Sequence, residues 1–144
     1  MKPGRGHTSW AAATVLVAAS LALGGCSEMS RGELERRVAA LESMAAEGEL
    51  LAGEVARDRT KATFVRVRAR ELAEDADHEA EKMADATPSD GVAEARDEAV
   101  AQAEALAEAF GTLQVFPGDE RRGAEVRRAL ERHADLLAKL AERL

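Results

Sequence analysis

The C-terminal stretch of the chain, residues 119–144, reads DERRGAEVRRALERHADLLAKLAERL. Its apolar positions recur at alternating steps of four and three residues from Val126 to Leu144, and His133 is the one polar member of the series. Side chains at this spacing share one face of an α-helix. The stretch therefore predicts an amphipathic helix, with Asp119 as its N-cap and Leu136 widening its apolar face.

The segments upstream carry similar stripes. Residues 92–115 place apolar side chains on one helix face, with Arg96 as the exception, and residues 30–86 contain no proline. A heptad seam runs from Leu34 to Met83, and eleven of its fifteen positions are apolar. A seam of this length indicates coiled-coil helices, and no stretch alternates as a strand does, so the predicted fold is all-α. The exceptions in the seam are Arg37, Gly48, Asp58 and Glu79.

Turn residues at 87–91 and 116–118 predict two chain reversals. The expected architecture is an antiparallel helical bundle or coiled coil of three to four helices with a long N-terminal helix, and residues 58–144 form its bundle. Residues 30–57 are either a stalk continuous with the bundle or a fourth helix folded back at 57–60. We favour the stalk because the heptad frame passes Asp58 without a shift, although Asp58 as a helix N-cap would favour the fold-back. An exposed stalk seam would also make the chain a possible homo-oligomer.

Residues 1–25 have the layout of a secretory signal peptide. Lys2 and Arg5 precede an apolar run, Ala11 to Leu23, that is too short to span a bilayer. The run leads into Leu23-Gly24-Gly25-Cys26, and Cys26 is the only cysteine of the chain. This ending resembles the lipobox of bacterial lipoproteins. The resemblance covers residues 1–26, and the rest of the chain resembles no family closely.

The resemblance implies that the chain is cut before Cys26, that the sulfur of Cys26 carries a diacylglyceryl group with acyl chains such as palmitate, and that residues 26–29 are a lipidated tether. Two acyl chains give stable membrane anchoring, whereas one chain does not. The protein would then be extracytoplasmic, on the outer face of the cytoplasmic membrane in a single-membrane organism. The alternative is an uncleaved N-terminal membrane helix with a free thiol.

The densest set of potential metal ligands surrounds Asp75 and His78, which are three residues apart and share a helix face. Carboxylate-bridged metal bundles repeat a Glu-x-x-His motif on two helices. Here Leu130 stands three residues before the other candidate, His133. We therefore expect no dedicated metal site and no cofactor. Asp75 and His78 are interpreted as a solvated acidic face, and His133 as a core histidine with a hydrogen-bond partner.

Charge and composition narrow the function further. A net charge of −7 and 3% aromatic residues argue against a nucleic-acid partner and against stacking pockets. No Ser, Thr or Lys is paired with a recognisable base, so we expect no catalytic residues and no enzyme. Residues 57–70 carry a net charge of +5 and residues 71–98 one of −9. With an upright stalk, the acidic end would lie farthest from Cys26 and would offer a docking face to a basic partner or to cations.

These features predict a lipid-anchored protein that acts as a non-catalytic interaction or spacer module of the cell envelope, through an unknown protein partner. The alternative is a ligand- or metal-binding helical bundle displayed at the membrane surface.

Overall fold

The computed structural model describes residues 28–144, which form four antiparallel α-helices. These are α1 (Arg31–Ala56), α2 (Ala62–Asp85), α3 (Ala93–Val115) and α4 (Glu120–Arg143). Two short strands, β1 (Glu28–Met29) and β2 (Thr87–Pro88), pair in parallel beside the bundle. The prediction of an all-α antiparallel bundle is confirmed.

The helices form two closely packed pairs, α1 with α4 and α2 with α3. Helix α3 also packs along α4, whereas α1 and α2 touch over a smaller area. The predicted stripes face the interior. The largest fully buried side chains include Leu34, Val38 and Leu41 of α1, Leu72 and Met83 of α2, Leu106, Phe110 and Leu113 of α3, and Leu130, Leu137 and Leu140 of α4. Leu136 remains 40% exposed and adds little to the buried face.

Glycines allow close approach of α1 to α4 and of α1 to α3. A Cβ atom built at Gly123 of α4 would lie 2.8 Å from the backbone nitrogen of Ala56 and 2.8 Å from Cγ1 of Val55. A Cβ atom at Gly48 of α1 would overlap the buried ring of Phe110. Glycine stands at these positions because the neighbouring helix occupies the space that a methyl group would need.

The preferred interpretation of residues 30–57 as a continuous stalk is wrong, and the fold-back alternative describes the structure. Helix α1 ends at Ala56, and Asp58 adopts a left-handed backbone conformation with φ of 51°. The amide of Arg59 then donates to the carbonyl oxygen of Glu54 at 2.9 Å. Asp tolerates the left-handed region better than most residues, so Asp58 closes α1 instead of capping α2. The heptad spacing continues through the reversal because α1 and α2 each bury apolar side chains at the same alternating steps of three and four residues.

The polar exceptions of the stripes have specific partners. Arg37 of α1 donates to Glu79 of α2 at 2.8 Å, which joins the two helices that share the smaller contact. Arg96 of α3 donates to the carbonyl oxygens of residues 83, 84 and 86, at 3.1 to 3.4 Å, and so caps the C-terminal end of α2. Asp119 accepts from the amide of Arg122 at 2.9 Å and is the N-cap of α4, as predicted.

The bundle has two ends, a first end and a far end. The first end holds β1, the start of α1, the α2–α3 loop with β2, and the end of α4. The far end holds the α1–α2 loop, the start of α2, and the α3–α4 loop at residues 116–119.

Candidate functional site

The N-terminal segment is fixed to the first end of the bundle. In β1, Glu28 pairs with Thr87 and Met29 with Pro88, and the amide of Ser89 donates to the carbonyl oxygen of Met29 at 3.1 Å. The side chain of Met29 is fully buried in the core. Ser30 follows at once as the N-cap of α1. The chain is therefore held against the bundle from residue 28 onward.

This arrangement reverses the expected orientation of the charges. The loop at Pro88, which lies within the acidic segment 71–98, is the strand partner of β1. The expectation that the acidic end lies farthest from Cys26 required an upright stalk, and the structure has none, because α1 folds back and β1 binds the α2–α3 loop. Cys26 itself, the predicted signal peptide and the tether residue Ser27 lie outside the described residues. Glu28, two positions after Cys26, is at the acidic end.

The three candidate metal ligands do not meet. Asp75 and His78 are exposed on α2. His133 lies on α4, the helix diagonal to α2 in the bundle, and is directed towards α3. Across residues 28–144, no three His, Cys, Asp or Glu side chains are grouped so that they could hold a metal ion.

His133 is half-buried where α3 and α4 meet. Its Nδ1 lies 2.9 Å from Oε1 of Gln102. Burial, and secondly the positive charge of the neighbouring Arg132, lower the pKa of His133 below its usual value. The neutral imidazole can donate its Nδ1 proton to the amide oxygen of Gln102, which satisfies the polar group within the apolar seam.

A shallow groove of about 270 Å³ runs between α3 and α4. Its floor is formed by alanines, including Ala105, Ala109 and Ala129, and His133 lies on its wall. Arg122 and Glu125 form an ion pair of 3.1 Å along the same wall. Alanines that face each other leave a space that larger side chains would fill, and these alanines are visible in the sequence. The pattern of apolar stripes does not show, however, which alanines face each other.

The far end of the bundle carries exposed apolar side chains that sequence reasoning did not single out. Two of them, Phe64 and Val67, lie on the first two turns of α2. The other two, Val115 and Phe116, lie where α3 ends. Their exposed fractions are 59%, 44%, 66% and 43%, respectively. The α3–α4 loop adjoins the start of α2, since a Cβ atom built at Gly118 would lie 4.0 Å from that of Ala62.

The sequence matches no protein-family model, and neither the curated proteins nor the solved structures gave a match to it. None of the helices within residues 28–144 combines the length and the apolar character that crossing a membrane requires.

Proposed function

We propose that this chain is a lipid-anchored helical bundle of the cell envelope, which acts outside the cytoplasm as a non-catalytic interaction or spacer module. The lipobox-like ending at Cys26 supports the anchor. The observation that carries the proposal further is the pairing of β1 with β2, since the bundle begins only two residues after the cysteine that would hold the lipid.

The short tether determines how such a module would stand. Two residues span about 7 Å when extended, so a lipid on Cys26 would hold the first end of the bundle at the bilayer surface. A helix of 24 residues such as α4 extends about 36 Å at 1.5 Å per residue. An upright bundle would therefore hold its far end roughly that distance from the membrane.

The lipid would also account for the lone cysteine. A diacylglyceryl thioether supplies two acyl chains, which is the number that stable anchoring needs. It also consumes the only thiol of the chain, so that neither an unpaired reactive cysteine nor an intermolecular disulfide remains.

One observation supports the second candidate, a ligand-binding helical bundle. The α3–α4 groove is open to solvent and combines an alanine floor with a guanidinium, a carboxylate and an imidazole. Its volume of about 270 Å³ lies just below the range of roughly 300–1,000 Å³ that is typical of small-molecule sites. We therefore favour the interaction or spacer role.

The test is the chemical state of Cys26 in cells that express the full chain. We expect a radiolabelled or alkyne-tagged fatty acid to be incorporated into the wild type, and the denatured product to show no maleimide-reactive thiol. Cys26→Ser should abolish incorporation and leave a precursor that is not cut before residue 26. A wild-type chain that retains a free thiol and takes up no label would refute the anchor and, with it, the proposed location.

A further inference from the structure

We propose that the far end of the bundle is a docking surface for an acidic, amphipathic segment of a partner protein. The surface comprises Phe64, Val67, Val115 and Phe116, together with the cations Arg59, Lys61 and Arg66. The inference rests on the proposed function, because an interaction module needs a surface that its anchor leaves accessible.

The first observation is the concentration of apolar exposure. The described chain has six large hydrophobic side chains that are exposed, and four of them belong to this surface. Single exposed hydrophobic residues are ordinary on protein surfaces. Their concentration at the start of α2 and the end of α3 indicates a contact site.

The second observation is the positive charge at the same end of the bundle. Residues 59–70 contain five cations and no acid. Arg68 and Arg70 pair with glutamates of α1 and α2, whereas Arg59, Lys61 and Arg66 form no ion pair with any described residue. No acidic residue lies in the first turn of α2 to balance the helix dipole. The guanidinium of Arg122, which also pairs with Glu125, lies 5.3 Å from the centroid of the Phe116 ring.

The charge selects the occupant. Unpaired cations at the same end of the bundle as exposed apolar side chains are complementary to a segment with carboxylates on one face and apolar residues on the other. If two copies of this surface met, their cations would lie close together, and the two copies would repel each other. The bilayer that holds Cys26 would lie at the opposite end of an upright bundle, so a protein partner fits this position better than the membrane does.

The experiment measures binding of a fluorescein-labelled, amphipathic peptide with Glu at its polar positions and Leu at its apolar ones. The full chain is used as the host cell processes it. A second peptide carries Lys in place of every Glu. We expect the Glu peptide to bind, to bind more weakly as salt rises, and to bind at least about tenfold more tightly than the Lys peptide.

Variants with matched controls locate the site. Phe64→Ser combined with Arg66→Glu should weaken binding of the Glu peptide by about tenfold or more. Leu136→Ser combined with Arg36→Glu also replaces one exposed large apolar side chain by serine and one exposed arginine by glutamate, but away from the far end, and should leave the affinity unchanged. Helix content from circular dichroism shows that each variant remains folded.

Several results would overturn the proposal. These are failure of the Glu peptide to bind, equal binding of both peptides, and equal loss in the control variant. Vesicles that contain phosphatidylglycerol provide a further arm. Because Cys26→Ser protein keeps its apolar N-terminal segment, its flotation is compared with that of the same protein carrying Phe64→Ser and Arg66→Glu. A loss of flotation in the second protein, without peptide binding by the first, would assign a membrane surface instead. The peptide assay does not depend on the lipid. Lipid on Cys26 without peptide binding would refute only the docking surface, and peptide binding by a chain with unmodified Cys26 would refute only the anchor.

Discussion

Replacement of Gly123 by alanine tests the fold-back of α1 onto α4. The new methyl group would lie 2.8 Å from the backbone nitrogen of Ala56 and within 3.0 Å of two atoms of Val55. Overpacking of this kind costs about 1–3 kcal/mol. Alanine also gains about 1 kcal/mol of helix propensity over glycine. We therefore expect Gly123→Ala to lower the free energy of unfolding by about 0–2 kcal/mol, which is the difference between these effects.

Gly111→Ala is the matched control, because Gly111 lies inside α3 and a Cβ atom built there meets nothing within 4 Å. It should show the propensity gain alone, up to about 1 kcal/mol, or roughly 4 °C in melting temperature. Urea unfolding followed by circular dichroism at both positions isolates the clash as the difference between the variants, about 1–3 kcal/mol. In a continuous stalk, Gly123 would not meet α1. Equal stabilisation by both substitutions would therefore refute the packing described here.

Two further predictions concern α4. Leu137→Ala should lower the free energy of unfolding by about 2–5 kcal/mol, because Leu137 is fully buried. Leu136→Ala, one residue away and 40% exposed, should change it by less than about 0.5 kcal/mol. Similar losses for both variants in urea unfolding would contradict the orientation of α4. His133→Leu should be neutral or stabilising, because Gln102 is only partly buried and can turn to water once the imidazole is gone. The folded state holds the pKa of His133 below its unfolded value, so wild-type stability is retained above about pH 6.5 and falls as the pH drops through the lowered pKa. Wild-type stability should thus fall more between pH 7 and pH 5 than that of His133→Leu, and parallel pH profiles would rule out this assignment.

The sequence was sufficient for the features that depend on local spacing. The stripe of α4, its cap at Asp119 and the reversals at Pro88 and Pro117 follow from helical periodicity and from the conformational limits of proline. The break between α1 and α2 was harder to predict. A heptad frame reports which side chains are buried, and not which helix buries them, so the covered seam of α1 and an exposed stalk seam look the same in sequence.

The features that carry the functional proposals depend on contacts between distant segments. The pairing of β1 with β2 involves four residues without strand alternation, so nothing in the sequence indicates that the acidic loop at Pro88 adjoins residue 28. The far-end surface combines Phe64 with Phe116, which only the antiparallel packing of α2 and α3 brings to one end. The carbonyl groups that accept from Arg96 were equally hard to predict, because they belong to the backbone at the end of another helix.

The distance of each bundle end from the bilayer shows whether a lipid on Cys26 holds the first end of the bundle at the membrane. Asp90→Cys labels the α2–α3 loop and Gly118→Cys labels the far end, and a lipidated Cys26 leaves the introduced thiol as the only reactive one. Energy transfer from each labelled position to acceptor lipids is then measured in vesicles that hold the processed protein. We expect strong transfer from position 90 and weak transfer from position 118, which would stand about 35 Å farther from the surface. Equal transfer, stronger transfer from position 118, or no association with the vesicles would contradict it.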